Sequence, residues 1–260
     1  MTRPITFAIL GDSAASGVGD YDQLGRPRGW CYHLASAFVR PVNLIQVARS
    51  GAQSNEVRDI QLPRVIVYRP DIAALVVGGN DLLRNGFSPN RLYENLRSTI
   101  LEFKSCGAEV LMLQLHDPTE IVPLPKLLAR VLQRRVNAVN EVYERLVDEF
   151  ELVFLRTRNL PDIYQSHLWH FDRMHPSAHG HFTLAKNFRD LLASRGWSLG
   201  ELHIPEIAKS SKRDSAIWML RNGTPWFFKR SFDLLPAALA LMAIEAARVI
   251  LATIHFKGAK

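Results

Sequence analysis

Cysteine is nearly absent from this chain of 260 residues, which holds only Cys31 and Cys106. Two cysteines make no disulfide framework, so a packed core has to hold the fold, and a reducing compartment suits it. A long apolar run is missing near the N-terminus. The six residues Ile5 to Leu10 are too few for the core of a secretory signal, so a cytoplasmic location is expected. Internal repeats and low-complexity stretches are also missing. The glycines Gly11, Gly17 and Gly19 follow an apolar run, but neither the Gly-Lys-Ser/Thr ending nor the Gly-x-Gly-x-x-Gly spacing of phosphate loops is there, which argues against nucleotide binding. No His-Glu-x-x-His pattern and no cysteine pairing accompanies the histidines His167, His170, His175, His179 and His181, so neither a metal nor any other cofactor is expected.

What is present is ample apolar material. At 47% hydrophobic residues the chain can bury a large core, and its length suits one large domain with an appendage. Apolar runs at Ile5 to Leu10, Val42 to Val47, Ile72 to Val77 and Val110 to Leu115 read as buried strands, with a fifth at Leu152 to Leu155. Between them, Gly29 to Val39, Asn55 to Tyr68 (interrupted by Pro63), Asn90 to Ser105 and Lys126 to Phe150 carry apolar residues at helical spacing, and Ser177 can cap a helix running to Leu192. Strands alternating with helices predict an α/β fold with a parallel sheet covered on both faces and sites at the carboxyl ends of its strands.

Four polar blocks fall at such places. Gly11-Asp12-Ser13 follows the first run, Ala48 to Ala52 with Gly51 the second, and Gly78-Gly79-Asn80-Asp81 the third, while Asp172 to Pro176 lies on the loop before the last helix. Each alone is ordinary turn chemistry. Together they supply a set that serine chemistry needs. A serine hydroxyl is a weak nucleophile until an imidazole takes its proton, and the imidazole needs a carboxylate to fix its tautomer. Ser13, His175 and Asp172 are the candidates. Asp12 reads as a local backbone anchor beside Ser13, and Asp81 as the residue holding the turn that aims Asn80.

With these blocks in this order, from about Ile5 to Leu192, the chain resembles the SGNH subgroup of the GDSL family of esterases and acyl hydrolases. The resemblance implies a three-layer α/β/α sandwich on a five-stranded parallel sheet, flavodoxin-like in type. It also implies Ser13 as nucleophile, His175 as base, Asp172 as its orienter, and an oxyanion hole made by the Ser13 and Gly51 N–H groups with the Asn80 side chain. The reaction it implies is hydrolysis of a carboxylic ester or thioester through an acyl-serine. Acyl transfer to a sugar or lipid hydroxyl on the same residues stays open, and so does a non-catalytic, membrane-held module binding lipid or glycan. Arg26 to Trp30 and Pro118 to Leu128 lie near the presumed active face, either as pocket walls or as plain connections.

The formal charge of +7 is uneven. Residues 1–204 hold 23 basic against 21 acidic side chains, and 205–260 hold 9 against 4, so the basic excess belongs to a separate C-terminal extension. That extension carries Trp226 to Arg230 before an apolar stretch of 21 residues, 234–254, whose charges are Glu245 and Arg248. Aromatic and basic flanks favour an anionic membrane surface, at the inner face of the membrane, over nucleic acid as its partner. Against a true span stand Pro236, Glu245 and Arg248. Three readings stay open: a membrane helix, a helix packed on the core or on a partner chain, and a lid. Actinobacterial family members look similar around Gly223 to Trp226 and Asp233 to Pro236.

Overall fold

The structure, a computed structural model, describes residues 3–122, 124–202, 236 and 239–248. In chain order its elements are β1 (Ile5–Gly11), α1 (Ser13–Ser16), α2 (Gly29–Ala37), β2 (Val42–Gln46) and α3 (Ser54–Glu56). A π-helical turn, Val57–Gln61, joins α3 to α4 (Leu62–Ile66). Then come β3 (Ile72–Val76), α5 (Gly79–Leu82), α6 (Pro89–Ser105), β4 (Glu109–Leu113), α7 (Lys126–Phe150), β5 (Val153–Leu155) and α8 (Ala178–Ser194).

All strand pairings are parallel and the order is β2-β1-β3-β4-β5. Alternate side chains of these strands face opposite layers. Ala8, Leu10, Ala73, Leu75 and Val110 pack with apolar residues of α4, α6 and α7. Phe7, Ile9, Ile72 and Ala74 pack with α2 and α8, where Trp30 stacks on Phe188 at 4.4 Å. The result is a three-layer α/β/α sandwich. Connections leave β1 toward one edge and β3 toward the other, so the crevice at the carboxyl ends of β1 and β3 is the topological switch point where ligands bind in such sheets.

Two expectations are corrected. β2 is an edge strand and only partly buried, with Asn43 and Gln46 exposed, because one side of it has no neighbour to cover it. The helix around Pro63 is also not interrupted. Proline cannot donate to the carbonyl four residues back, and the widened turn just before it, with Leu62 N–H bonded to Val57 O, absorbs that misfit. The same turn aims Gln61, which is only 3% exposed, at the end of β1. Its Oε1 accepts from Gly11 N–H at 2.7 Å and its Nε2 donates to Gly11 O at 3.0 Å. Gly11 itself must be glycine, since at φ +131° a Cβ would stand 1.8 Å from Val76 O.

α8 begins as expected, with Ser177 Oγ accepting from Gly180 N–H. His181, fully buried, then ties it to the other side of the crevice. Its Nδ1 accepts from Trp30 N–H at 3.2 Å and its Nε2–H donates to Val18 O at 2.9 Å. Burial holds this imidazole neutral, with its pKa pushed down to about 4.

In the C-terminal extension, residues 236 and 239–248 are helical, within the expected 234–254; the remainder of that stretch and the domain boundary at 204 lie outside the described residues. Among the described residues no helix is long and apolar enough to cross a membrane.

Gln61→Leu should strand the buried Gly11 N–H and lower the unfolding free energy by about 1–3 kcal/mol, read from urea denaturation. A second expectation concerns acid. His181 is proton-poor in the folded state and takes up a proton on unfolding below its ordinary 6.5, so its contribution to stability falls away as pH drops from about 6.5 to about 4. His181→Gln keeps one donor and one acceptor but does not titrate. The loss of stability between those two pH values should shrink by about 3 kcal/mol in that variant, and an unchanged slope refutes the assignment.

Candidate active site

β1 ends at Gly11, and Asp12 caps the short α1 by accepting from Ala14 N–H at 3.0 Å. Ser13 is the first residue of that turn, so its hydroxyl projects from the strand end into the crevice, and first-turn N–H groups lack intrahelical acceptors. Across the sheet, the loop before α8 folds back on itself. His170 N–H donates to His175 O at 2.9 Å, and Arg173 N–H to His170 O at 2.9 Å, with Arg173 in the left-handed region at φ 57°. The loop is seated by close approach: Gly19 lies so near Pro176 that a Cβ there would meet Pro176 O at 2.0 Å.

This docking brings together residues 162 positions apart. His175 Nε2 lies 2.7 Å from Ser13 Oγ, and His175 Nδ1 lies 2.8 Å from Asp172 Oδ2. With the proton on Nδ1, where a carboxylate favours it, Nε2 accepts from the serine hydroxyl. Asp172 Oδ1 accepts from Met174 N–H at 2.8 Å and His175 N–H at 3.0 Å, and His170 Nδ1 stands 3.1 Å from Oδ2. Burial alone pushes the Asp172 carboxyl up. The bonds from His170, His175 and Met174 and the charge of His175 outweigh it and hold the group well below the usual carboxylate range.

The other expected residues lie around this chain. Asn80 follows β3, is buried, and lines the same cavity as Ser13. Its Nδ2 donates to Asp12 Oδ2 at 3.3 Å and to Ala52 O at 3.2 Å. Gly51, at φ 86°, sits in the turn closed by Ala52 N–H on Arg49 O, next to the residue that holds the Asn80 amide; it is not part of the cavity wall. Asp81 ties the two loops together by accepting from Ser54 N–H at 3.1 Å and Ser54 Oγ at 2.5 Å. It therefore fixes the Gly51 loop to α5 rather than bonding only within its own turn. Asp12 has little water around it, and burial raises its pKa to about 6 against the opposing pull of Ala14 N–H and His175.

The cavity over these residues has a volume of about 720 Å³. Its walls are mostly apolar: Leu82, Leu83, Leu115, Leu128, Leu132, Val136 and Trp169 stand beyond the Ser13 end. Of the stretch Pro118 to Leu128, Pro118, Val122 and Leu124 in the connection before α7 and Leu128 in its first turn line the cavity. Of the stretch Arg26 to Trp30, Trp30 reaches the wall.

His116 is a further lining residue that the sequence reading missed. It packs against Trp169 with ring centroids 4.1 Å apart, and burial pushes its pKa down to about 3, so it presents a neutral imidazole. Its signal was its position just past β4, at the carboxyl end of a parallel strand. Among the described residues no group of histidines, cysteines and carboxylates is arranged to hold a metal ion. His181 spends both ring nitrogens on backbone groups, and His167 and His179 face one another, exposed, with ring centroids 6.0 Å apart.

Comparisons with known proteins show which family the chain belongs to. The chain is 26% identical over 174 residues to the thioesterase 1/protease 1/lysophospholipase L1 of Escherichia coli K12, covering 66% of this chain and 76% of that protein. It is 26% identical over 200 residues to an acetylxylan esterase of Geobacillus stearothermophilus, covering 68% and 86%. The solved structure of that esterase, Axe2, superposes with a TM-score of 0.57 at 18% identity, covering 72% of this chain and 94% of that one, a likeness of fold. The model of the GDSL-like lipase/acylhydrolase family matches residues 9–181, a span that includes the strand-end serine, the Asn80 turn and the Asp172–His175 loop. The chain therefore belongs to the GDSL-like lipase/acylhydrolase family, and with it to the carboxylic ester hydrolases.

Proposed function

We propose that the chain hydrolyses carboxylic esters or thioesters through an acyl intermediate on Ser13. The hydrogen-bonded run from Ser13 Oγ through His175 to Asp172, at 2.7 and 2.8 Å, is the observation that carries this reading. As Ser13 attacks the substrate carbonyl, its proton passes to His175 Nε2, and the imidazolium is met by the Asp172 carboxylate. Collapse of the tetrahedral intermediate expels the alcohol or thiol, which takes that proton. His175 then removes a proton from water, and the second attack frees the acid and Ser13.

Negative charge on the substrate oxygen is met by the Ser13 N–H and the Asn80 amide, which line the cavity, and by the Gly51 N–H where bound substrate draws its turn toward them. For Asn80 this means giving up one of its two present acceptors, Asp12 Oδ2 or Ala52 O. The arrangement has sense: a donor already held at its strand end needs only a small swing rather than recruitment from solvent. Asp12 and Asp81 serve by holding that end in place.

The reading of a non-catalytic module at a membrane is disfavoured by the complete hydrogen-bonded triad. Transfer of the acyl group to another hydroxyl uses the same residues and differs only in which hydroxyl attacks second.

A fluorophosphonate probe should label the chain at Ser13, with the adduct mapped by mass spectrometry, and Ser13→Ala should take no label and hydrolyse no p-nitrophenyl ester. Absence of labelling in the unmodified chain overturns the proposal. Asn80→Ala should lower kcat by about a hundredfold to a thousandfold while KM moves little. An unchanged kcat removes Asn80 from the oxyanion hole.

A further inference from the structure

The cavity has a wall that comes from outside the family fold. The family match ends at residue 181, yet Leu241, some sixty positions later, lines the same cavity as Ser13 and is only 6% exposed. It lies on the helical residues 239–248. Within them, residues four apart share a face, and that face is occupied by Leu241 and Glu245, both buried. Leu239 and Ile244 lie on the exposed part of the same helix, at 59% and 45%.

What holds this helix against the catalytic fold is an ion pair of forked geometry. Arg134, on α7, donates from Nη1 to Glu245 Oε1 at 3.0 Å and from Nη2 to Oε2 at 2.8 Å. Two parallel bonds fix orientation as well as distance. With Glu245 set on Arg134, Leu241 one turn earlier lines the cavity together with Leu128 and Leu132 of α7. The charge in the middle of the apolar 234–254 stretch thus has a partner in the catalytic fold, which accounts for an acidic residue at a position where a membrane core would penalise it.

We propose that Leu241, carried by a helix latched through Glu245 to Arg134, completes the wall of the acyl cavity and sets which acyl chains the enzyme accepts, favouring extended apolar chains over acetyl. This rests on the ester-hydrolase reading of Ser13. An acetyl group has no use for about 720 Å³ of mostly aliphatic wall, whereas an alkyl chain desolvated there gains with each methylene until it meets a side chain that stops it. Leu241 is a specificity-determining residue in this account. It takes no part in proton transfer, and its effect falls on the dependence of rate on chain length.

The test uses the full chain and a series of p-nitrophenyl esters: acetate, butyrate, octanoate, laurate and palmitate. Leu241→Trp, which fills the cavity, should lower kcat/KM for laurate by about tenfold or more while acetate changes by less than about twofold. Leu241→Ala should move the preference toward longer chains, and Glu245→Gln, which weakens the latch, should act in the same direction. Profiles that keep their shape in all three variants overturn the proposal.

A second readout separates this from the chemistry at Ser13. In the Ser13→Ala background, binding of the fluorescent fatty acid cis-parinaric acid should weaken by about tenfold on adding Leu241→Trp. If the unmodified chain hydrolyses no ester yet the probe responds to Leu241→Trp, the hydrolase reading fails and the cavity assignment stands. If esters are cleaved but neither profile nor probe responds, Leu241 is only a packing residue and the proposal fails.

Discussion

The imidazole of His175 is the point on which the site balances. It touches Ser13 on one side and Asp172 on the other; the second contact is made within one loop, but the first is not, because the serine at the end of β1 lies 162 positions before the histidine. Within the loop, Asp172 accepts from both Met174 N–H and His175 N–H, so the carboxylate is already spent on shaping the turn that presents the imidazole. The same side chain therefore orders the backbone and fixes the ring tautomer. Moving it by an ångström would disturb both functions at once. The surrounding fold serves to keep this loop over β1: Gly19 against Pro176, His181 on Val18 and Trp30, and Gln61 clasping Gly11 from the opposite layer.

Charge around the site is set by burial and by hydrogen bonding. Asp172 is held ionised by its bonds. His116 and His181 are held neutral by burial, with pKa values pushed down to about 3 and about 4. Asp12 is the exception. Its pKa of about 6 is raised by burial next to the nucleophile, and its carboxylate holds the Asn80 amide. On the proposed mechanism, a carboxylate there anchors the oxyanion donor and sits across from a histidine that becomes cationic. The cost of burying it is thus tied to the step in which its charge is most favourable.

The fold was legible because its signals are local. Apolar runs marked all five strands to within two residues at either end, and the expected helix Lys126 to Phe150 is α7 itself, because its amphipathic period is long and clean. That Ser13, His175 and Asp172 come together was legible for a different reason: a serine after a strand and an Asp-x-x-His loop have few other uses in that combination. Less visible were features created by tertiary contact. Nothing in a window around Pro63 announces a π turn, since its relief of the proline and its aiming of Gln61 appear only once β1 is beside it. Nor does the sequence around Asp81 reveal Ser54 as its partner, or that around Glu245 reveal Arg134, which is 111 residues away. His116 escaped because a lone histidine after an apolar run resembles many core histidines until a cavity is seen beside it.

On the proposed reading, chemistry and selectivity are carried by different parts of the chain. The strand ends of β1 and β3 and the loop before α8 supply the reactive groups, and these positions are constrained on every side by sheet register and by close backbone packing. The cavity walls come largely from the connection before α7, from α7 itself and from residue 241. The family match ends at residue 181, so on the same reading acyl preference depends in part on a helix beyond that match, which needs a fixed place to rest. On this chain α7 offers such a place, because Arg134 reaches Glu245 while Leu128, Leu132 and Val136 of the same helix line the cavity. One helix then serves two neighbours: its buried side closes the acyl pocket, and its outer arginine positions the leucine that completes it.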